Sequence, residues 1–370
     1  MENRGFLLIA DITGYTVYLS QSELEHAQGT LSQLLELLIE HTRPPLHISS
    51  LEGDAVLSYA LGAGFVSGQT FIESIESTYI SFRRAIELMV LNNTCRCNAC
   101  ANVSSLDVKF LVHYGPFVIQ RVGNTAQLLG NDVNLIHRLL KNLVTADTGI
   151  RAYLLCTDAA IRVLGIDPVS EAMTRHLETV TDLGDVSVWV KDMHPVYQAR
   201  RDEGQVTYTE KEVLTTLEAE IAMPRELVWD YLNQSEFRNL VIQSDSYEVL
   251  DREAGKVGPG STYQCYHGKM VVLQVVVEWR PFERVLLSQR LPFKGRPVHV
   301  LIDFRLTPTE VGTRLTETAA RVSGPAAKRL LARLFIRSQR QRSQRGLDDF
   351  RNQIQGDLAA HQAIASRGNG

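Results

Sequence analysis

No stretch of this chain approaches the ~20 consecutive apolar residues of a membrane-spanning helix. The apolar run at residues 6–10 is too short for a signal peptide, so a cytoplasmic protein is expected. Cysteine is sparse and odd in number: five in 370 residues, which argues against a disulfide framework. Repeats and low-complexity tracts are missing, leaving solenoids and disordered arrays aside. A basic excess is missing from the first part. Residues 1–200 hold 14 basic and 21 acidic side chains, so nucleic acid is not an expected partner.

What is present is ordinary globular material, 44% hydrophobic and 22% charged, long enough for two domains. The clearest break is the polar stretch 198–211. It suggests domains over 1–200 and 213–358, a linker at 201–212 and a flexible tail at 359–370. Residues 6–12 read as a buried strand. A helix over 22–41 puts Leu31, Leu34, Leu35, Leu38 and Ile39 on one face and stops at Pro44-Pro45. Strands 46–50 and 55–59 flank Glu52-Gly53-Asp54 as a hairpin. A helix over 69–91 follows, then a second hairpin, 108–113 with 117–121, about Gly115-Pro116. Strand, helix, hairpin, helix, hairpin is the ferredoxin-like split βαβ plan. Later residues read as strand 213–221, helix 224–232, and strands 262–266, 270–279, 284–290, 298–307 and 312–321. A long helix over 326–355 completes an α+β helix-grip pattern.

Asp11 ends the first strand and Asp54 sits in the hairpin beside it, so the carboxylates can converge. Hard cations such as Mg²⁺ take one or two carboxylates plus substrate phosphates, although paired acids at strand ends are as often solvated turn residues. Gly130-Asn131-Asp132-Val133-Asn134 opens a helix on which Asn134 and Arg138 share a face. A guanidinium there suits phosphoryl charge, and an amide suits a sugar oxygen.

Four ordered segments carry a resemblance: Phe6-x4-Asp11-Ile12-Thr13-Gly14-Tyr15-Thr16, Gly53-Asp54-Ala55-Val56-Leu57, Val112-His113-Tyr114-Gly115-Pro116 and Gly130-x2-Val133-Asn134-x3-Arg138. With Asp182-Leu183-Gly184 and Trp189-Val190-Lys191, they resemble the signature blocks of class III adenylyl and guanylyl (nucleotidyl) cyclases across residues 5–197. The resemblance implies that Asp11, the Ile12 carbonyl and Asp54 bind two Mg²⁺ or Mn²⁺ ions. It implies that Asn134 orients the ribose of a nucleoside triphosphate and Arg138 stabilises the transition state. These groups come from opposite protomers, so a homodimer is implied, with Asn134 and Arg138 too far from Asp11 within one chain. Two positions depart from the pattern. The base-selecting Lys is Ser50 and the second base reader is Gln127; both side chains donate and accept, so base identity is open.

Cys95, Cys97 and Cys100 crowd one loop and can ligate zinc, with His113, Cys156 or a partner chain as fourth ligand. A redox-responsive loop and cysteines without function are the alternatives. Ile221-Ala222-Met223-Pro224 through Leu232, with the turns at Val257-Gly258-Pro259-Gly260, Glu278-Trp279-Arg280-Pro281 and Gly312-Thr313, resembles START-like proteins. That resemblance implies a hydrophobic pocket for an apolar small molecule or lipid. Val271, Val272, Val275, Val277, Leu331, Leu334 and Phe335 are expected to line it, with Cys265 and His267 as scaffold. Arg329, Arg333 and Arg337 recur every four residues on the last helix, either as a solvated face or for weak contact with an anionic membrane surface. The expected function is a cyclase regulated by a hydrophobic ligand. The alternative is a cyclase-like dimer that binds nucleotide or lipid as a sensor or carrier without turnover.

Overall fold

Gly5 through Ala10 are buried on both faces of β1 (Glu2–Thr13), as suits a strand in the middle of a covered sheet. The computed structural model describes residues 2–62, 66–92, 95, 97–122, 125–180, 183–252, 256–291, 293 and 297–367. The chain divides into two compact units, residues 1–203 and 204–370. In the first, β1 is followed by α1 (Tyr15–Ser20), α2 (Leu24–Thr42), β2 (His47–Glu52), β3 (Ala55–Leu61), α3 (Gly68–Leu91) and α4 (Asn98–Asn102). Then come β4 (Asp107–Val122), β5 (Thr125–Leu129), α5 (Asn131–Leu139), α6 (Val144–Thr148), β6 (Tyr153–Thr157), α7 (Asp158–Leu164), β7 (Thr174–Val180), β8 (Gly184–Asp192) and α8 (His194–Asp202). The strands form one sheet in the order β2-β3-β1-β4-β6-β8-β7, with β5 paired to the end of β4. On one face Leu7, Ile9, Leu57 and Leu111 cluster with Val133, Ile136 and Leu139 of α5. On the other, Phe6 meets Phe71 of α3 with ring centroids 5.3 Å apart.

The hairpin expected about Gly115-Pro116 is not there. β4 runs straight through and turns only before β5. Pro116 falls between the residues paired to β6 (Phe110–Val112) and those paired to β5 (Val118–Val122), so its missing N–H breaks no bond to either.

The second unit holds β9 (Val213–Ile221), α9 (Arg225–Asn233), α10 (Ser235–Ile242), β10 (Ser246–Asp251), β11 (Thr262–His267), β12 (Met270–Arg280), β13 (Arg284–Leu291), β14 (Val298–Thr309), β15 (Gly312–Ser323), α11 (Ala326–Ser338) and α12 (Arg340–Arg367). Its strands form one antiparallel sheet in the order β10-β11-β12-β13-β14-β15-β9. Leu347, Phe350 and Ile354 of α12 enter its core. The single final helix expected over 326–355 is two helices. The Ser338 hydroxyl donates to the Phe335 carbonyl at 2.7 Å, a back-bond that competes with the helix ladder just where α11 ends. Helix continues through Arg367, where a flexible tail from 359 was expected; residues 368–370 lie outside the described residues. The residues expected as linker are also placed. Arg284 makes two bonds to Asp303 (2.8 and 2.9 Å), one to Glu278 (2.8 Å) and one to the Val206 carbonyl (2.9 Å). Tyr208 donates to Asp303 at 2.7 Å. Residues 206–208 are therefore strapped onto the second unit.

Candidate active site

β1 and β3 pair antiparallel with Asp11 opposite Ala55, one residue from Asp54. The Ile12 N–H donates to the Asp54 carbonyl at 3.1 Å, closing the hairpin against the end of β1. Partial burial, with the Asp11 carboxylate next in weight, raises the Asp54 carboxyl above its ordinary range. Two carboxylates that repel one another at a half-buried strand end form a site prepared for positive charge.

A cation is supplied from within the chain at a residue sequence reasoning passed over. Lys109 Nζ lies 3.2 Å from Asp11 Oδ2 and donates to the Leu140 carbonyl at 3.0 Å, tying the acid pair to the C-terminal end of α5. No local signal marks it: Lys109 meets Asp11 because the two oppose one another in the β1–β4 register. His137, beside Arg138, pairs with Glu52 of the hairpin strand at 3.2 Å.

The start of α5 is fixed independently. His113 Nε2 lies 2.7 Å from Asp132 Oδ1, and its Nδ1 lies 2.9 Å from Thr157 Oγ1. Gly115 leaves room for that carboxylate, since a Cβ would stand 2.4 Å from the same Asp132 oxygen. Val133, Ile136 and Leu139 face the core, which leaves Asn134 and Arg138 exposed on the opposite side. Ser50 bonds Glu52 at 3.1 Å on the edge strand β2, and Gln127 is exposed on β5. Asp182 lies outside the described residues.

The three clustered cysteines converge, but not on His113 or Cys156. His113 is engaged as above and Cys156 is buried in β6. The fourth group is His26, from the first turn of α2. Its distance in sequence, 71 residues from Cys97, hid it.

In the second unit a cavity of about 150 Å³ is lined by Cys265, Val272, Gln274, Gln289, Glu317 and Phe335, among others. Of the residues expected to line it, Val272 and Phe335 do. Val271, Val275 and Val277 are 37–43% exposed on the other face of β12, and Leu331 and Leu334 point outward from α11. Valines occupy both parities of β12, and the polar Gln274 holds the inward parity, so alternation misread the phase. Gln274 is satisfied by Gln289 at 2.9 Å. His267, like Cys265, lines the cavity, where both were expected only as scaffold. Glu317 Oε2 is fully enclosed without a hydrogen-bond partner among the described residues, and burial pushes its carboxyl up to about 7 although the residue as a whole keeps some exposure. Nearby Arg238 opposes that shift. It is buried, with its guanidinium 4.8 Å from the Phe304 ring centre and 6.0 Å from that of Tyr247.

No described helix is long and apolar enough to cross a membrane. A model for a protein family of unknown function, DUF2652, matches residues 31–148. The uncharacterized protein Rv2561/Rv2562 of Mycobacterium tuberculosis is 28% identical over 169 residues, 45% of this chain and 76% of that one. Among solved structures, a bacterial light-regulated adenylyl cyclase is similar over 54% of this chain and 57% of its own, at 13% identity and a TM-score of 0.40. The chain thus spans little more than half of that enzyme's length. The adenylyl cyclase CyaB from P. aeruginosa is similar over 55% of this chain and 98% of its own, at 15% identity and a TM-score of 0.34.

Proposed function

We propose that the first unit is a metal-dependent nucleotidyl cyclase. In that reaction the 3′ oxygen of a nucleoside triphosphate attacks its own α-phosphorus, the bond to the β-phosphate oxygen breaks, and a 3′,5′-cyclic monophosphate and pyrophosphate leave. The Asp11–Asp54 pair carries this reading: adjacent strand ends, mutual repulsion and partial burial suit a divalent cation. Mg²⁺ or Mn²⁺ held by Asp11, Asp54 and the Ile12 carbonyl would supply charge for the attacking oxygen and the departing pyrophosphate. Lys109 orients Asp11 and balances half of the pair's charge when no substrate is bound. Asn134 and Arg138, presented on the exposed face of α5, serve the ribose and the phosphoryl charge. They act on the acid pair of a second copy, making composite sites in a homodimer. The strand order β2-β3-β1-β4 is the order a split βαβ core has, which supports the same reading. Ser50 and Gln127 would face the base.

The second unit, in this reading, is a START-like helix-grip module whose cavity takes an amphipathic small molecule and biases the first unit. Its lining mixes Val272 and Phe335 with Glu317, Gln274 and Gln289, so the ligand presents a hydrogen-bond donor as well as apolar surface. The test is to incubate purified protein with each of the four ribonucleoside triphosphates and Mn²⁺. Cyclic product with equimolar pyrophosphate is expected from at least one; nucleotide binding without product under all four would replace turnover by a sensor role.

A further inference from the structure

We propose that His26, Cys95, Cys97 and Cys100 form a zinc site that staples the start of α2 to the connection between α3 and β4. The four ligand atoms all lie within 4.8 Å of one another. His26 Nδ1 stands 3.2 Å from Cys97 Sγ, 3.7 Å from Cys95 Sγ and 3.9 Å from Cys100 Sγ. Tetrahedral ligation with Zn–S of ~2.3 Å and Zn–N of ~2.0–2.1 Å requires nitrogen–sulfur separations of about 3.6 Å. The three observed separations bracket that value. An ordinary Cys–His hydrogen bond draws in one sulfur. Here three converge on a single ring nitrogen, which can share a proton with only one of them.

The backbone supports the same arrangement. The Cys97 N–H points at Cys95 Sγ (3.5 Å) and the Cys100 N–H at Cys97 Sγ (3.4 Å), so amide donors face two of the sulfurs, as thiolates require. Cys97 caps α4, and the first turns of that helix deliver Cys100. From the start of α2, Glu23 Oε2 accepts the Ala99 N–H at 3.1 Å, so a carboxylate holds the loop in place beside the imidazole of His26. Three soft thiolates and one imidazole select Zn²⁺ over Mg²⁺. All four positions are filled by the chain, so the ion is structural rather than catalytic. The site is separate from the acid pair and does not depend on which reaction the first unit performs.

The test uses the full chain purified without chelators. Elemental analysis should find one zinc per chain. Cobalt added to chelator-treated protein should give the intense visible bands of a tetrahedral site and a thiolate charge-transfer band. His26→Ala and Cys97→Ser should each weaken zinc by about 100-fold or more in competition with a chromophoric chelator. Should either variant fail to fold, the cobalt spectrum of the unaltered chain decides alone. Absence of zinc together with an octahedral or silent cobalt spectrum overturns the site. So does a mass two hydrogens lighter, which marks a disulfide, or wild-type zinc affinity in folded His26→Ala.

Discussion

Replacing Asp54 with Asn keeps the size of the hairpin side chain and removes a charge that burial and Asp11 already disfavour. The variant should therefore unfold at a temperature equal to or above that of the parent, while Mn²⁺-dependent product formation falls by at least about 100-fold. Retained turnover, measured alongside thermal unfolding, would remove Asp54 from the chemistry. Glu317 makes a pH prediction. Its folded carboxyl titrates near 7 against an ordinary 4.5. Between those values the folded chain keeps a proton that the unfolded chain has released. Its stabilising contribution is whole below about pH 4.5 and is lost as pH rises through 7. Urea unfolding followed by tryptophan fluorescence should show stability falling between about pH 4.5 and 7, by up to about 3 kcal/mol. Glu317→Gln should flatten that dependence. An equally steep profile in the Gln variant would assign the titration to another group.

At the scale of elements, the placement of α5 rests on the contact between β4 and the Asp132 carboxylate. Gly115→Ala drives a methyl group into the Asp132 oxygen that His113 holds, so it should cost about 1–3 kcal/mol. It should also depress turnover more than substrate binding, because Asn134 and Arg138 move with the helix; steady-state kinetics separate the two. In the second unit, Arg284→Ala removes the cation shared by buried Glu278 and Asp303 and leaves them to Arg280 and Arg305, at a cost of about 1.5–3 kcal/mol. It should also release residues 206–208, read as new protease sensitivity there. Elements with one-sided patterns, such as α2 with Leu31, Leu34 and Leu38 buried, were legible from periodicity. The straight course of β4 was not, because Gly115-Pro116 is a turn signal whose meaning depends on which neighbours pair on each side.

For the whole molecule, composite sites predict complementation. Asp11→Ala and Arg138→Ala proteins, each inactive alone, should recover up to about a quarter of wild-type activity when mixed and allowed to exchange, since only heterodimers hold one intact site. Demonstrated exchange with no recovery would point to a site within one chain or to none. Removing residues 204–370 should leave any cyclase activity but abolish its response to small molecules, measured by adding amphipathic compounds that stabilise the full chain.

Local chemistry along the chain was enough to put Asp11 and Asp54 at neighbouring strand ends and Asn134 and Arg138 on one helix face; the roles expected of them came from the resemblance alone. Local chemistry also placed most of the second unit's strands, from β11 to β15, where turn residues bound apolar runs. Three features were decided only by packing between segments distant in sequence. Lys109 reaches Asp11 because β4 lies against β1. His26 reaches three sulfurs because α2 lies against α4. The inward parity of β12 was chosen by what covers the sheet, since valine fits either face and only Gln274 finds its partner on one. A residue's chemical type is local information; which distant group it meets is a property of the folded chain.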